Sequence, residues 1–136
     1  MSELLKLKNK YDIDYSLNLV DEQFIDEMEK FLCVKIGREL REYILEFGHI
    51  EYEYIEFLGV NSLEKMNSDM VKLTVRLHEN HEKTKSFVAL ESIGDSIYTL
   101  INADDSVYCY DAVLDDFPIF TGKKLSAYIE EKIKNA

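Results

Sequence analysis

The sequence is short of the residues that most restrict what a chain can be. Its 136 positions hold two cysteines, one proline and five glycines. Cys33 and Cys109 are too few and too far apart for a disulfide-stapled scaffold. With apolar neighbours on both sides, they read as two reduced thiols, Cys33 beside core positions and Cys109 in a strand. Five glycines leave no phosphate-cradling loop, and no Walker motif, G-x-G-x-x-G turn or G-x-S-x-G elbow occurs. Long apolar runs are missing too. Leu4, Leu5 and Leu7 alternate with lysines and polar residues, which suits neither a signal-peptide core nor a membrane span, so a cytoplasmic protein is expected.

Basic residues are the most telling shortage. Sixteen Lys and Arg face 27 Asp and Glu, for a net charge of −11. Gripping phosphates requires a basic footprint, so direct nucleic-acid binding is disfavoured and not expected, and anionic membrane surfaces are disfavoured for the same reason. Two readings of the acidity stay open: solubility alone, or docking onto a basic protein partner, where opposite charge speeds encounter.

What is present is enough apolar material for a core. A hydrophobic content of 46%, with 12% aromatics, indicates one globular domain over residues 1–136. Residues 1–19 make an uncertain leading segment. Leu4, Leu5 and Tyr11 fit a short helix, whereas Ile13, Tyr15, Leu17 and Leu19 alternate as in a strand or extended arm. Residues 21–48 organise the chain. Asp21 is a natural N-cap, and Phe24, Ile25, Met28, Phe31 and Leu32 form one apolar helical face. Gly37 breaks the helix; Leu40, Tyr43, Ile44 and Phe47 open a second stripe that Gly48 ends. Residues 50–58 alternate as a single strand closed by Gly59. A third helix is expected from about 63 to 78 behind a Ser62 cap, weakened at Asn67 and Ser68. Three β-type runs follow at 86–92, 97–102 and 107–112, joined by turn chemistry at 94–96 and 103–106 into an antiparallel meander. Pro118 marks an extended break, and a closing helix from Thr121 or Gly122 carries Leu125, Tyr128, Ile129 and Ile133. The class is α+β: a mostly antiparallel sheet with helices packed on one face.

Few clusters carry chemistry. His78 and His81 lie three apart, not the four that a zinc-protease helix needs, and read as a solvated helix end. Asp104, Asp105, Asp111, Asp115 and Asp116 concentrate along the meander without the ligand spacing of a calcium loop. Turn chemistry and a partner-facing acidic patch are both open for them, and an acid pair serving glycosidic chemistry is not eliminated. Tyr52, Tyr54, Tyr98, Tyr108 and Tyr110 fit a half-buried core or, mixed with acids, an interface. No metal or other cofactor is expected, and nothing supports an enzyme.

The order of elements resembles the SMI1/KNR4 family, also called the SUKH superfamily. The residues carrying the likeness are Ile25, Met28-Glu29, Leu32, Ile36-Gly37, Leu40-Arg41, Tyr43, Ile44-Leu45 and Gly48. Further matches are Gly59-Val60, the run from Ile93 to Tyr98, Val107-Tyr108, Tyr110-Asp111 and a closing helix near 125–133. The resemblance covers roughly residues 20–133. It departs where the family's Leu-Pro is Ile36-Gly37, and where its glycine-rich turn shrinks to Gly48. It implies a non-catalytic binding protein. Bacterial members are immunity proteins that neutralise a cognate toxin domain, often a nuclease; fungal members resemble scaffolds in cell-wall signalling. On that reading the partner is a toxin with a basic surface. Its expected contacts are Glu51, Tyr52, Glu53, Asp104, Asp105, Tyr108, Tyr110, Asp111, Asp115 and Asp116.

Overall fold

The computed structural model describes residues 2–136 and has the expected α+β class. Helix α1 (Glu3–Lys10) starts at Ser2, whose hydroxyl accepts the Leu5 N–H, and buries Leu4 and Leu7. The alternating stretch behind it yields only a two-residue strand, β1 (Asp14–Tyr15). Helix α2 (Glu22–Leu32) is capped as its sequence requires, the Asp21 carboxylate accepting the Phe24 N–H at 2.9 Å. Phe24, Ile25, Met28 and Leu32 are buried, but Phe31 lies outside the stripe and is 57% exposed. Cys33 is also exposed, not beside the core, because it adopts the left-handed conformation that ends α2.

Helix α3 (Arg38–Glu46) turns Leu40, Tyr43 and Ile44 inward, with Phe47 behind them. Gly48, at φ +72°, donates its N–H to the Tyr43 carbonyl and ends the helix. Arg41 ties α3 to α2, reaching Glu22, Asp26 and Glu29 at 2.8 Å each. The fully buried Tyr43 hydroxyl lies 2.7 Å from the Leu58 carbonyl, to which it donates.

Three further expectations are corrected. Residues 50–58 are not one strand but a hairpin, β2 (Ile50–Tyr52) and β3 (Ile55–Phe57). Its two-residue turn at Glu53 and Tyr54 carries none of the Asn-Gly chemistry that announces such a turn, although Glu53 takes φ +55°. The third helix is shorter than expected: Asn61, not Ser62, caps a turn at 62–64, a 3-10 turn (Lys65–Asn67) follows it, and α4 (Asp69–Asn80) starts after Ser68. The break falls at the weak Asn67-Ser68 stretch. Finally, the segment after Pro118 is a fourth strand of the meander, and the closing helix begins later than expected. The meander is β4 (Val88–Ser92), β5 (Ile97–Ile101), β6 (Ser106–Asp111) and β7 (Ile119–Lys124), and α5 (Leu125–Lys134) follows.

The strands form an antiparallel sheet β1-β2-β3 and another β4-β5-β6-β7. The Leu58 N–H bonds the Leu90 carbonyl at 2.8 Å, carrying the first sheet onto the edge of the second. The helices touch one another in the sequence α4, α2, α3, α5, α1, with α4 against β4 and α5 against β6 and β7. On the α5 side of the large sheet, buried Glu91 accepts from the Tyr128 and Thr99 hydroxyls and meets Lys132. Register puts Tyr98, Leu100, Tyr108 and Phe120 on the opposite side, where His81 packs edge-on against Tyr110.

Candidate partner-binding surface

The ten residues expected to meet a partner separate into three places. Asp104 and Asp105 lie at one end of β6, and Asp111, Asp115 and Asp116 at the other, about 17 Å away at strand rise. Glu51, Tyr52 and Glu53 belong to the small sheet.

Asp105 faces inward. It is 6% exposed, and its two carboxylate oxygens accept the Glu39 and Leu40 N–H groups at 2.9 and 3.0 Å. It therefore caps α3 from a hairpin turn far along the chain, in place of the missing cap side chain of Gly37. Burial pushes its carboxyl up, while the Glu39 and Leu40 amides pull it down without cancelling the effect. Asp104 stays exposed, its carbonyl holding Lys124. Tyr110 is buried, and burial, followed by the charges of Asp115 and Asp116, raises its hydroxyl pKa. Tyr52 is half-buried, edge-on to Tyr11.

The far end of β6 is different. The Asp111 carboxylate accepts the Val113 and Leu114 N–H groups and the Ser96 hydroxyl, and the Val113 bond leads in holding its pKa below the ordinary value. Asp115 accepts the Asp111 N–H at 2.8 Å. These acids are thus loop-builders. The loop they build presents Val113 and Leu114 almost fully, at 77% and 80% exposure. Phe117, Ile119 and Phe120 follow, and Ile93 and Ile97 join from the β4–β5 turn, which the Ser96–Asp111 bond ties to the loop. Among the described residues, seven of the twelve exposed large hydrophobic residues gather at this one end of the large sheet. Apolar surface concentrated this way, rimmed by Asp95, Asp115 and Asp116, is the makeup of an interaction site.

The patch sits on a firm base. Tyr108 packs between Phe87 and Phe120, with ring centres at 4.9 and 5.5 Å, and Lys83 lies over the Phe117 ring at 4.7 Å. Strand β7 is an edge, but Gly122 at φ +87°, Lys123 and Lys124 blunt its second half. Its first half, Ile119 and Phe120, remains open. Of the residues at this end, the sequence singled out Tyr108, Asp111, Asp115 and Asp116 as expected contacts, and neither Asp95 nor the apolar residues between them. The signal was there: Val113, Leu114, Phe117, Ile119 and Phe120 fall outside every expected periodic element.

The SUKH_5 family model, described as SMI1-KNR4 cell-wall, matches residues 1–134. The chain belongs to the SMI1/KNR4 family. No curated protein matches it as a relative. The family is generally one of non-catalytic proteins with immunity or cell-wall roles, so a protein partner is the kind of ligand to look for. Among the described residues, no helix is long and apolar enough to cross a membrane.

Proposed function

We propose that this is an immunity protein of the SMI1/KNR4 family that binds a cognate bacterial toxin domain one-to-one in the cytoplasm and neutralises it. The observation that carries the reading is the apolar end of the large sheet, with Val113, Leu114, Phe117 and Phe120 exposed among acids. Exposed apolar anchors supply affinity, and the surrounding charge supplies encounter rate and partner choice. A nuclease domain, which must hold phosphates with basic residues, is the partner that a chain of net charge −11 complements best. No catalysis by this chain is required. The contact residues are Val113, Leu114, Asp115, Asp116, Phe117 and Phe120, with Tyr108 as a half-buried support.

A second reading, a non-catalytic scaffold on the same fold, is favoured by the cell-wall description of the matching family model. Co-expression with the C-terminal toxin domain of a neighbouring large gene separates the two. Immunity requires rescue of growth and a co-purifying complex, and Val113→Arg with Leu114→Arg should abolish both while Asp104→Lys spares them. Killing that the wild-type chain does not relieve would sink the immunity reading. Full rescue by the double arginine variant would move the interface elsewhere.

A further inference from the structure

A second cluster lies far from the meander, on the three-stranded sheet. Strand pairing sets Asp14 opposite Glu51, and Glu51 opposite Glu56, so three carboxylates run in one row across β1, β2 and β3. Like charges placed directly opposite destabilise a sheet unless a cation offsets them. His49, two residues before Glu51 and therefore on the same face, turns its Nε2 towards the row. It lies 3.3 Å from a Glu51 oxygen and 3.4 Å from a Glu56 oxygen, and these three atoms are all within 4.8 Å of one another.

We propose that His49, Glu51 and Glu56 form a binding site for a divalent transition-metal ion of the zinc type. The spacing is the first reason. Ligand atoms on a tetrahedral zinc, with bonds of roughly 2.0–2.1 Å, stand roughly 3.3–3.4 Å apart, which is the separation of His49 from each glutamate, and the two glutamate oxygens lie within 4.8 Å of each other. The donor set is the second reason: the imidazole nitrogen suits a transition-metal ion such as zinc, which also accepts carboxylate oxygens, whereas calcium and magnesium take oxygen ligands. Placement is the third. All three ligands stand on paired strands or the residue leading into one, and the His49 backbone is held by the contact between Gly48 and residues 59–60, where the Val60 N–H bonds the Gly48 carbonyl at 2.9 Å. His49 and Glu51, though not Glu56, also line a cleft of about 310 Å³ with Asp14, Glu64 and Asp69. The site is independent of the proposed toxin-binding surface at the end of the large sheet and shares none of that surface's contact residues.

The test uses the full chain and Co²⁺, a spectroscopic substitute for Zn²⁺. Titration should saturate at one equivalent with the visible bands of a tetrahedral site, Zn²⁺ should displace them, and either ion should raise the melting temperature. His49→Gln, and Glu51→Gln with Glu56→Gln, should weaken binding by more than the roughly 10–100-fold that even outer-shell changes cost. Asp115→Asn with Asp116→Asn should leave it unchanged. In the absence of metal, the double glutamine variant should melt at or above the wild-type temperature, because a like-charge pair has been removed. Lack of saturable binding, equal weakening by the Asp115 and Asp116 changes, or a metal-free melting temperature that falls in the double glutamine variant would each overturn the proposal.

Discussion

Replacing Asp105 by Ala removes a helix cap supplied by a strand turn, and its cost can be worked from the geometry. Two N–H groups at the start of α3 lose their acceptor, and the bond to Leu40 is buried. Loss of a cap costs about 0.5–2 kcal/mol, and stranding a buried amide about 1–3 kcal/mol. The two figures describe overlapping losses, and removing a buried carboxylate returns part of them, so about 2 kcal/mol is expected. For a domain of this length that lowers the melting temperature by about 6–10 °C. Gly37 supplies the control. A Cβ there would lie 2.5–2.6 Å from the carboxylate atoms of Asp105, although the backbone, at φ −72° and ψ 172°, accepts any residue. Gly37→Ala should therefore be costly in the wild type, and within about 0.5 kcal/mol of neutral once Asp105 is Ala. Chemical denaturation of the wild type, both single variants and the double variant measures the coupling. Equal cost of Gly37→Ala in both backgrounds would refute the capping argument, as would an Asp105→Ala variant as stable as the wild type.

Three further outcomes follow from the same structure. Because the Asp105 carboxyl is raised when folded, protonation adds a stabilising increment, separate from the cap itself, that is fully present below its ordinary value of 3.8 and is lost as pH rises through the folded value. Denaturation midpoints across that window should fall more steeply with pH in the wild type than in Asp105→Asn; parallel profiles would contradict the shift. Arg41→Ala should cost about 1–2 kcal/mol by unclamping α2 from α3, and added salt should shrink the difference if the three ion pairs carry it. Tyr43→Phe should cost about 1–3 kcal/mol in a thermal melt, since it leaves the buried Leu58 carbonyl without its closest donor.

The helical layer was legible because periodicity and capping agree there. Asp21, the stripe from Phe24 to Leu32 and the stripe from Leu40 to Phe47 are where the sequence puts them, with Phe31 the exception. The strands were less legible wherever a turn lacks its usual residues. Glu53 and Tyr54 give no warning of a hairpin, and β7 hides behind Pro118 because the strand starts immediately after it. The candidate site was half legible, for a related reason. Acids in a turn look alike in sequence whether they meet solvent, as Asp116 does, build a loop, as Asp111 does, or cap a distant helix, as Asp105 does. Only the partner atoms tell them apart, and those lie up to 66 residues away.

The cap on α3 also sets an order of events during synthesis. Glu39 and Leu40 leave the ribosome long before Asp105, which lies 66 and 65 residues later. Until the β5–β6 turn emerges, the first turn of α3 has only water to satisfy its amides, and Gly37 gives that turn no cap of its own. Closing a loop of this length costs only about 0.6 kcal/mol more than one half as long, so distance is a small barrier; the delay comes from waiting for the chain. The N-terminal helices should therefore remain protease-sensitive on stalled nascent chains that end before residue 105, and become resistant once the meander is out. The interval between synthesis of the N-terminal helices and the capping of α3 is therefore fixed by the arrival of one aspartate.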